Sequence, residues 1–309
     1  MPAGASGASA ASATAASTAS AASAASAASA ASAASAAAQA SAAKHNAEIA
    51  ASLDPRGAWR LADWFAREVT RRLNVPDDAQ RAYGARLQRE LAAHGLGALS
   101  KQYVVLVDRA PNVQALFIYF RGAPSEHWRM LGASPVATGL PGRFEHFLTP
   151  LGVFEHSPRN MDFRAEGTTN ENGIRGYGVR DMRIFDFGWT NGERGWGKGG
   201  VSPMRFQMHA TDPDKLEPLL GIRHSKGCVR IPGSLDAFLD RHGVLDADYE
   251  ALADSGDVVR VLLPDREVMP WAGRYLVVTD SGSPSRPAWA PPPRPEVRAK
   301  MPDTADTAD

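Results

Sequence analysis

Two periods of apolar residues divide the chain. Leu61, Trp64, Phe65, Val69 and Leu73 recur at helical spacing behind Asp54-Pro55, an N-cap followed by a first-turn proline. They predict a first helix of about four to five turns. Asp77 with Gln80 has the form of a capping box, and Tyr83, Leu87 and Leu91 then line one face until Gly95 and Gly97 stop a second helix. Together they predict a helical hairpin. From Gln102 the period changes to short apolar runs, Tyr103 to Val107, Val113 to Phe120 and Trp128 to Leu131, separated by turn-forming clusters. Asn172-Gly173 and Asn191-Gly192 predict further turns, Val258 to Leu263 and Tyr275 to Val278 late strands, and Leu235 to His242 a short helix.

This pattern organises the chain into four parts: residues 1–43, a low-complexity leader; 44–98, a helical accessory region; 99–280, a mainly β domain with few helices; and 281–309, a proline-rich tail. The leader is almost wholly Ala and Ser, too small in apolar area to offset ordering, and is expected to be disordered. It has neither the basic start nor the leucine-rich core of a signal peptide, and its frequent serines disfavour a membrane span. The tail, with Pro291-Pro292-Pro293, is expected to be a solvated extension.

Charge narrows the partners. Lys and Arg number 34, as do Asp and Glu, and no basic block interrupts the balance, so the electrostatic footprint of a nucleic-acid binder is missing. A single cysteine forbids an intramolecular disulfide and any multi-cysteine zinc site.

That cysteine carries the chemistry. Arg223-His224-Ser225-Lys226-Gly227-Cys228-Val229-Arg230 places it after a glycine and among cations, with His209 upstream. A thiolate attacks carbonyls far better than a thiol, and cations or a histidine base promote it. Gly227 removes a side chain just before the sulfur, so that backbone amides there can approach a developing oxyanion. Cys228 is therefore the expected nucleophile, His209 its base, and Gly227 with Ser225 the loop that shapes the oxyanion site.

His209, Ser225, Gly227, Cys228, Val229 and Arg230 match the signature of the L,D-transpeptidase (YkuD) family, a histidine followed after a spacer by Ser/Thr-His-Gly-Cys, an apolar residue, and Asn or Arg. Upstream, Pro135-Val136-Ala137-Thr138-Gly139 and Thr149-Pro150-Leu151-Gly152-Val153-Phe154 are similar to that family's V-S-T-G and T-P-x-G-x-F segments. The chain departs from the pattern at Lys226, where the family has histidine, while His224 stands two residues earlier. The resemblance covers about residues 99–280 and implies a β-sandwich-like catalytic domain without metal or cofactor, placed in the periplasm or cell envelope. It implies peptidoglycan stem peptides as partners and a thioester on Cys228, passed to an amine in L,D-transpeptidation. The departure at Lys226 keeps as alternatives an L,D-carboxypeptidase or a hydrolase releasing wall-bound protein, of the same fold, and an inactive wall-binding module. Arg230 is expected to hold a substrate carboxylate or to form a structural salt bridge.

Several other signals compete. Gly195-Trp196-Gly197-Lys198-Gly199-Gly200 satisfies the dinucleotide pattern but leads into a strand-like run where a helix is required. It reads instead as a hairpin or as a glycine-rich cover whose Trp196, with Trp189, would stack on a sugar or peptide. Asp186-Phe187-Gly188 spells a kinase triplet without its surroundings. His209, His224 and His242 lack metal-ligand spacing.

Overall fold

The structure, a computed structural model, describes residues 55–299, which belong to one compact unit. The predicted leader, the first part of the accessory region and the last ten residues lie outside the described residues. The fold is mainly β with few helices, as the apolar pattern predicts.

One sheet has the order β3-β2-β1-β10-β5, formed by β1 (Val104–Asp108), β2 (Ala115–Phe120), β3 (Arg129–Pro135), β5 (Gly152–Glu155) and β10 (Tyr275–Thr279). Only β1 and β10 pair in parallel within it. The second has the order β4-β7-β8-β9, with β6 also on β7; its strands are β4 (Phe147–Leu148), β6 (Phe163–Arg164), β7 (Arg183–Arg194), β8 (Val201–Ala210) and β9 (Val229–Ile231). Here β8 and β9 are the parallel pair.

The central strands β1 and β2 of the first sheet are buried on both faces, which explains their continuous apolar runs. Val105, Val107, Leu116, Ile118 and Val278 pack against Phe185, Phe206, Met208, Val229 and Ile231 of the second sheet. The other face, with Val104, Leu106, Phe117 and Val277, meets Tyr83, Leu87 and Leu91. The second sheet's outer face then remains for polar residues, and the site forms there.

The two N-terminal helices do not form the expected hairpin. A 3-10 turn at Pro55–Trp59 runs into α1 (Arg60–Glu68), whose Leu61 and Phe65 join the core between the sheets; α2 (Asp77–Ala93) covers the opposite face of the first sheet. The first helix stops at Glu68 instead of Leu73. Val69 is extended, and the Leu73 N–H donates to the Ala133 carbonyl of edge strand β3 at 2.9 Å. The chain must round that edge to change faces, and it covers the strand's open backbone as it does so.

Three other expectations are corrected. Asn191-Gly192 lies inside β7, and the β7–β8 turn falls at 195–200. Val258 to Leu263 is not a strand: Val258 is exposed, while Val261 and Leu262 pack on Tyr249 of α4 (Ala247–Asp254), which follows α3 (Gly233–Arg241). Residues 281–299 are not a solvated extension. Trp289 packs on Tyr83 and Phe117, and Arg286 donates to the carbonyls of Gly221, Ala290 and Pro111. The segment ends in α5 (Pro295–Arg298). A tryptophan's apolar area outweighs local proline content once a groove is present to receive it. No described helix is long and apolar enough to cross a membrane.

Candidate active site

Strand alternation assembles the site. Phe206 and Met208 of β8 point into the core, which turns Arg205, Gln207 and His209 outward; Val229 and Ile231 of β9 point inward, which turns Arg230 outward, and Cys228, in the bend just before β9, lines the same cleft as Arg205 and Gln207. The parallel register sets Met208 beside Val229 and His209 beside Arg230. Cys228, the bend residue directly before β9, is thereby set near the end of β8 that carries His209, with its Sγ 3.9 Å from the Arg205 carbonyl oxygen.

His209 is fully buried, with Nδ1 2.5 Å from the Ala210 carbonyl oxygen. A carbonyl only accepts, so Nδ1 carries the proton, and in the neutral ring Nε2 is then the acceptor nitrogen, the tautomer a general base needs. Tyr177 packs edge-on against the ring at 4.7 Å, and its hydroxyl donates to Gln207 Oε1 at 3.3 Å. Cys228 is 6% exposed and opens into a cleft of about 570 Å³ bordered by Lys226, Arg205, Gln207, Tyr177 and Trp189.

The two motifs noted upstream converge on the cysteine loop. Thr138 accepts the His224 and Ser225 N–H groups on its carbonyl, and Ala137 exchanges both backbone hydrogen bonds with Arg230. Thr149 Oγ1 accepts the Gly139 N–H at 2.9 Å and donates to the Gly227 carbonyl at 2.6 Å. Gly139 is needed because the Phe147 backbone passes where a Cβ would stand. Gly227 has φ +143°, and a Cβ on it would lie 2.7 Å from Met204 Cε. Ser225 Oγ donates to the Cys228 carbonyl at 2.6 Å and accepts the Gly227 N–H at 3.1 Å. Ser225 is thus a brace for the loop. The Gly227 N–H is engaged by Ser225 in this loop conformation.

Thr149 was visible in the sequence only as part of a motif, and its two bonds have a measurable weight. Thr149→Val keeps the shape but leaves a buried carbonyl and a buried N–H unpaired, so we expect a loss of about 1–3 kcal/mol. Urea unfolding of the variant reads it; the rate of Cys228 alkylation should fall with it.

The cations around Cys228 have separate duties. Arg230, expected to reach a substrate carboxylate or an acidic partner, is fully buried and donates to the His224 carbonyl at 3.0 Å and its Nδ1 at 3.2 Å. Burial, aided by Arg230, presses His224 well below the usual histidine value, so it is neutral and supports the loop from within. Arg223 turns away to the Arg109 carbonyl at 2.7 Å. Lys226 borders the cleft while its carbonyl accepts the Phe147 N–H at 2.8 Å. His242 lies elsewhere, between Glu68 and Glu267, so the three histidines considered as ligands do not converge.

The cleft floor is built on Asp186. Its carboxylate accepts Arg205 Nε and Gln207 Nε2, each at 2.9 Å, and a bulge with Gly188 at φ +82° follows it. The kinase-like triplet is therefore structural. Past the bulge Trp189 stands at the rim, 69% exposed. The glycine-rich stretch is the β7–β8 hairpin turn, and its Trp196 packs edge-on against Phe147 at 4.8 Å.

No protein-family model matches the chain, and no curated protein matches it. Among solved structures it is similar to Bd1075 of Bdellovibrio bacteriovorus, with 17% identity, 58% of this chain and 47% of that chain covered, and a TM-score of 0.26. It is also similar to a fused Zn-dependent amidase/peptidase/peptidoglycan-binding domain-containing protein of Clostridium acetobutylicum, with 10% identity, 69% and 66% covered, and a TM-score of 0.26. The chain thus spans about half the length of the first and 66% of the second.

Proposed function

We propose that the protein is a cysteine acyltransferase of the L,D-transpeptidase kind, with the YkuD-type sandwich as its catalytic domain and peptidoglycan stem peptides as its substrates. The observation that carries this reading is the placement of Cys228 in a cleft, one residue before the strand that pairs with β8, together with a His209 on β8 whose Nδ1–H is bonded to the Ala210 carbonyl. That arrangement suits proton removal from a thiol and then from an attacking amine. In the proposed sequence His209 takes the thiol proton, and the sulfur attacks the amide carbonyl before D-alanine of a tetrapeptide stem. D-Alanine leaves with that proton, a thioester remains on Cys228, and an amine from a second stem displaces it. The cell envelope is the location this substrate requires.

Intact-protein mass spectrometry with disaccharide-tetrapeptide tests the proposal. We expect Cys228 to gain the mass of the acyl group with D-alanine lost. Cross-linked stems as product support transpeptidation, and free tripeptide would assign the protein as an L,D-carboxypeptidase. A folded protein with neither adduct nor product would overturn acyl transfer on this substrate and favour a wall-binding module.

A further inference from the structure

The β7–β8 ladder begins at the Ile184–His209 pair, so the next two residues, Arg183 and Ala210, present N–H groups that the ladder does not use. Both point to α3. There Asp236, 1% exposed in the helix's first turn, accepts the Arg183 N–H on Oδ1 at 3.1 Å and the Ala210 N–H on Oδ2 at 3.2 Å. The same Ala210 accepts the Nδ1–H of His209 on its carbonyl at 2.5 Å. One residue is thereby held at its nitrogen by a buried carboxyl while its oxygen holds the base.

We propose that Asp236 is a positioning residue for His209, fixing the Ala210 backbone so that the imidazole keeps the Nδ1–H tautomer with Nε2 as acceptor. This rests on the assignment of His209 as the base for Cys228. A carboxyl has two acceptor oxygens on one rigid plane, so a single side chain can grip the ends of two adjacent strands. Among the described residues no cation is bonded to this carboxyl. The Arg183 guanidinium is engaged by Asp162, Asp240 and Asp246, and Asp240 adds repulsion from the same helix. Burial accordingly raises Asp236 to about 8. Misplacing a base by about 1 Å costs roughly a hundredfold in reactions that depend on alignment, so the grip has room to act.

The test uses the full chain labelled with ¹⁵N-histidine, the His209 signals being those lost in His209→Ala. In the parent protein the long-range ¹H–¹⁵N spectrum should show a protonated Nδ1 and an unprotonated Nε2; the reverse pattern would overturn the proposal without any variant. Asp236→Asn, of the same shape with one acceptor removed, should shift His209 toward a mixture of tautomers and slow iodoacetamide alkylation of Cys228 at pH 7 by roughly tenfold. Alkylation in His209→Ala should not slow further when Asp236→Asn is added. If Asp236→Asn folds with the tautomer and alkylation rate unchanged, Asp236 only caps the strands. If His209→Ala itself alkylates at the parent rate, the base assignment falls, and the role of Asp236 with it.

Discussion

His209→Ala should slow the alkylation of Cys228 at neutral pH by about 100-fold or more, and Cys228→Ala should abolish both alkylation and acyl-adduct formation. The first figure follows from what a positioned base contributes, about 10²–10⁴ in proton-transfer steps. Near neutrality an unassisted thiol is only a few per cent thiolate, and Cys228 is 6% exposed, so burial alone would disfavour its ionisation. Reactivity above that of a buried thiol requires a base or cations beside the sulfur, and His209→Ala isolates the histidine's share from that of Lys226 and Arg205. The experiment is clean because the chain has one cysteine, and every alkylated molecule reports on the same sulfur. Cys228→Ser separates loss of nucleophile from loss of packing, since it retains the side-chain volume nearly unchanged. Equal alkylation rates for His209→Ala and the parent protein would remove the base from the mechanism while leaving the cleft in place.

Arg183→Met should destabilise the protein by about 3–5 kcal/mol, the cost of removing one partner from a buried ionic cluster. Arg183 is fully buried, bonded to Asp162 at 2.7 Å and to both oxygens of Asp246 at 2.7 and 2.8 Å. Asp162 also meets His156 Nε2 at 2.9 Å, while His156 Nδ1 donates to the Leu245 carbonyl. Both imidazole nitrogens donate, so His156 is charged. Methionine removes one cation and leaves the carboxylates in place, and urea unfolding at pH 7 reads the deficit.

The pH dependence follows from two opposed groups. Burial pushes Asp162 up, but His156 and Arg183 outweigh it and hold it below its usual 3.8, so its stabilisation is present above that value and lost as pH falls through the lower, folded-state value. His156 is raised above 6.5, with burial opposing and Asp162 prevailing, so its contribution is present below 6.5 and lost as pH rises through the folded-state value. In the variant, protonating Asp246 removes an uncompensated charge. Burial already raises that carboxyl even with Arg183 beside it. The deficit of Arg183→Met should therefore narrow as pH is lowered from 7 toward 4, and a deficit that widened instead would show that the cluster is held by other means. The effect reaches the site, because Asp162 also accepts the backbone N–H of Asp186 beneath the cleft at 2.9 Å.

By itself the sequence determined the local facts. The lone cysteine after Gly227, the histidine on a strand, the two-sided apolar runs of β1, β2 and β10, and the turn closed by the Gly173 N–H on the Asn170 carbonyl were all legible, because each depends on residue type and period over a few positions. Alternation in Phe206-Gln207-Met208-His209 even specifies which residues share a face. It does not specify which face lies beside which. That α1 and α2 lie on opposite sides of one sheet, that Arg230 turns to His224, and that Trp289 packs on α2 were decided only by tertiary structure. Arg183 reads as a surface cation until Asp162, Asp240 and Asp246 are brought to it from 21, 57 and 63 residues away. The bonds of Thr149 and Asp236 were hidden for the same reason, since their partners Gly227 and Ala210 are 78 and 26 residues distant. A buried polar group takes its meaning from the atoms that satisfy it, and those are chosen by the fold.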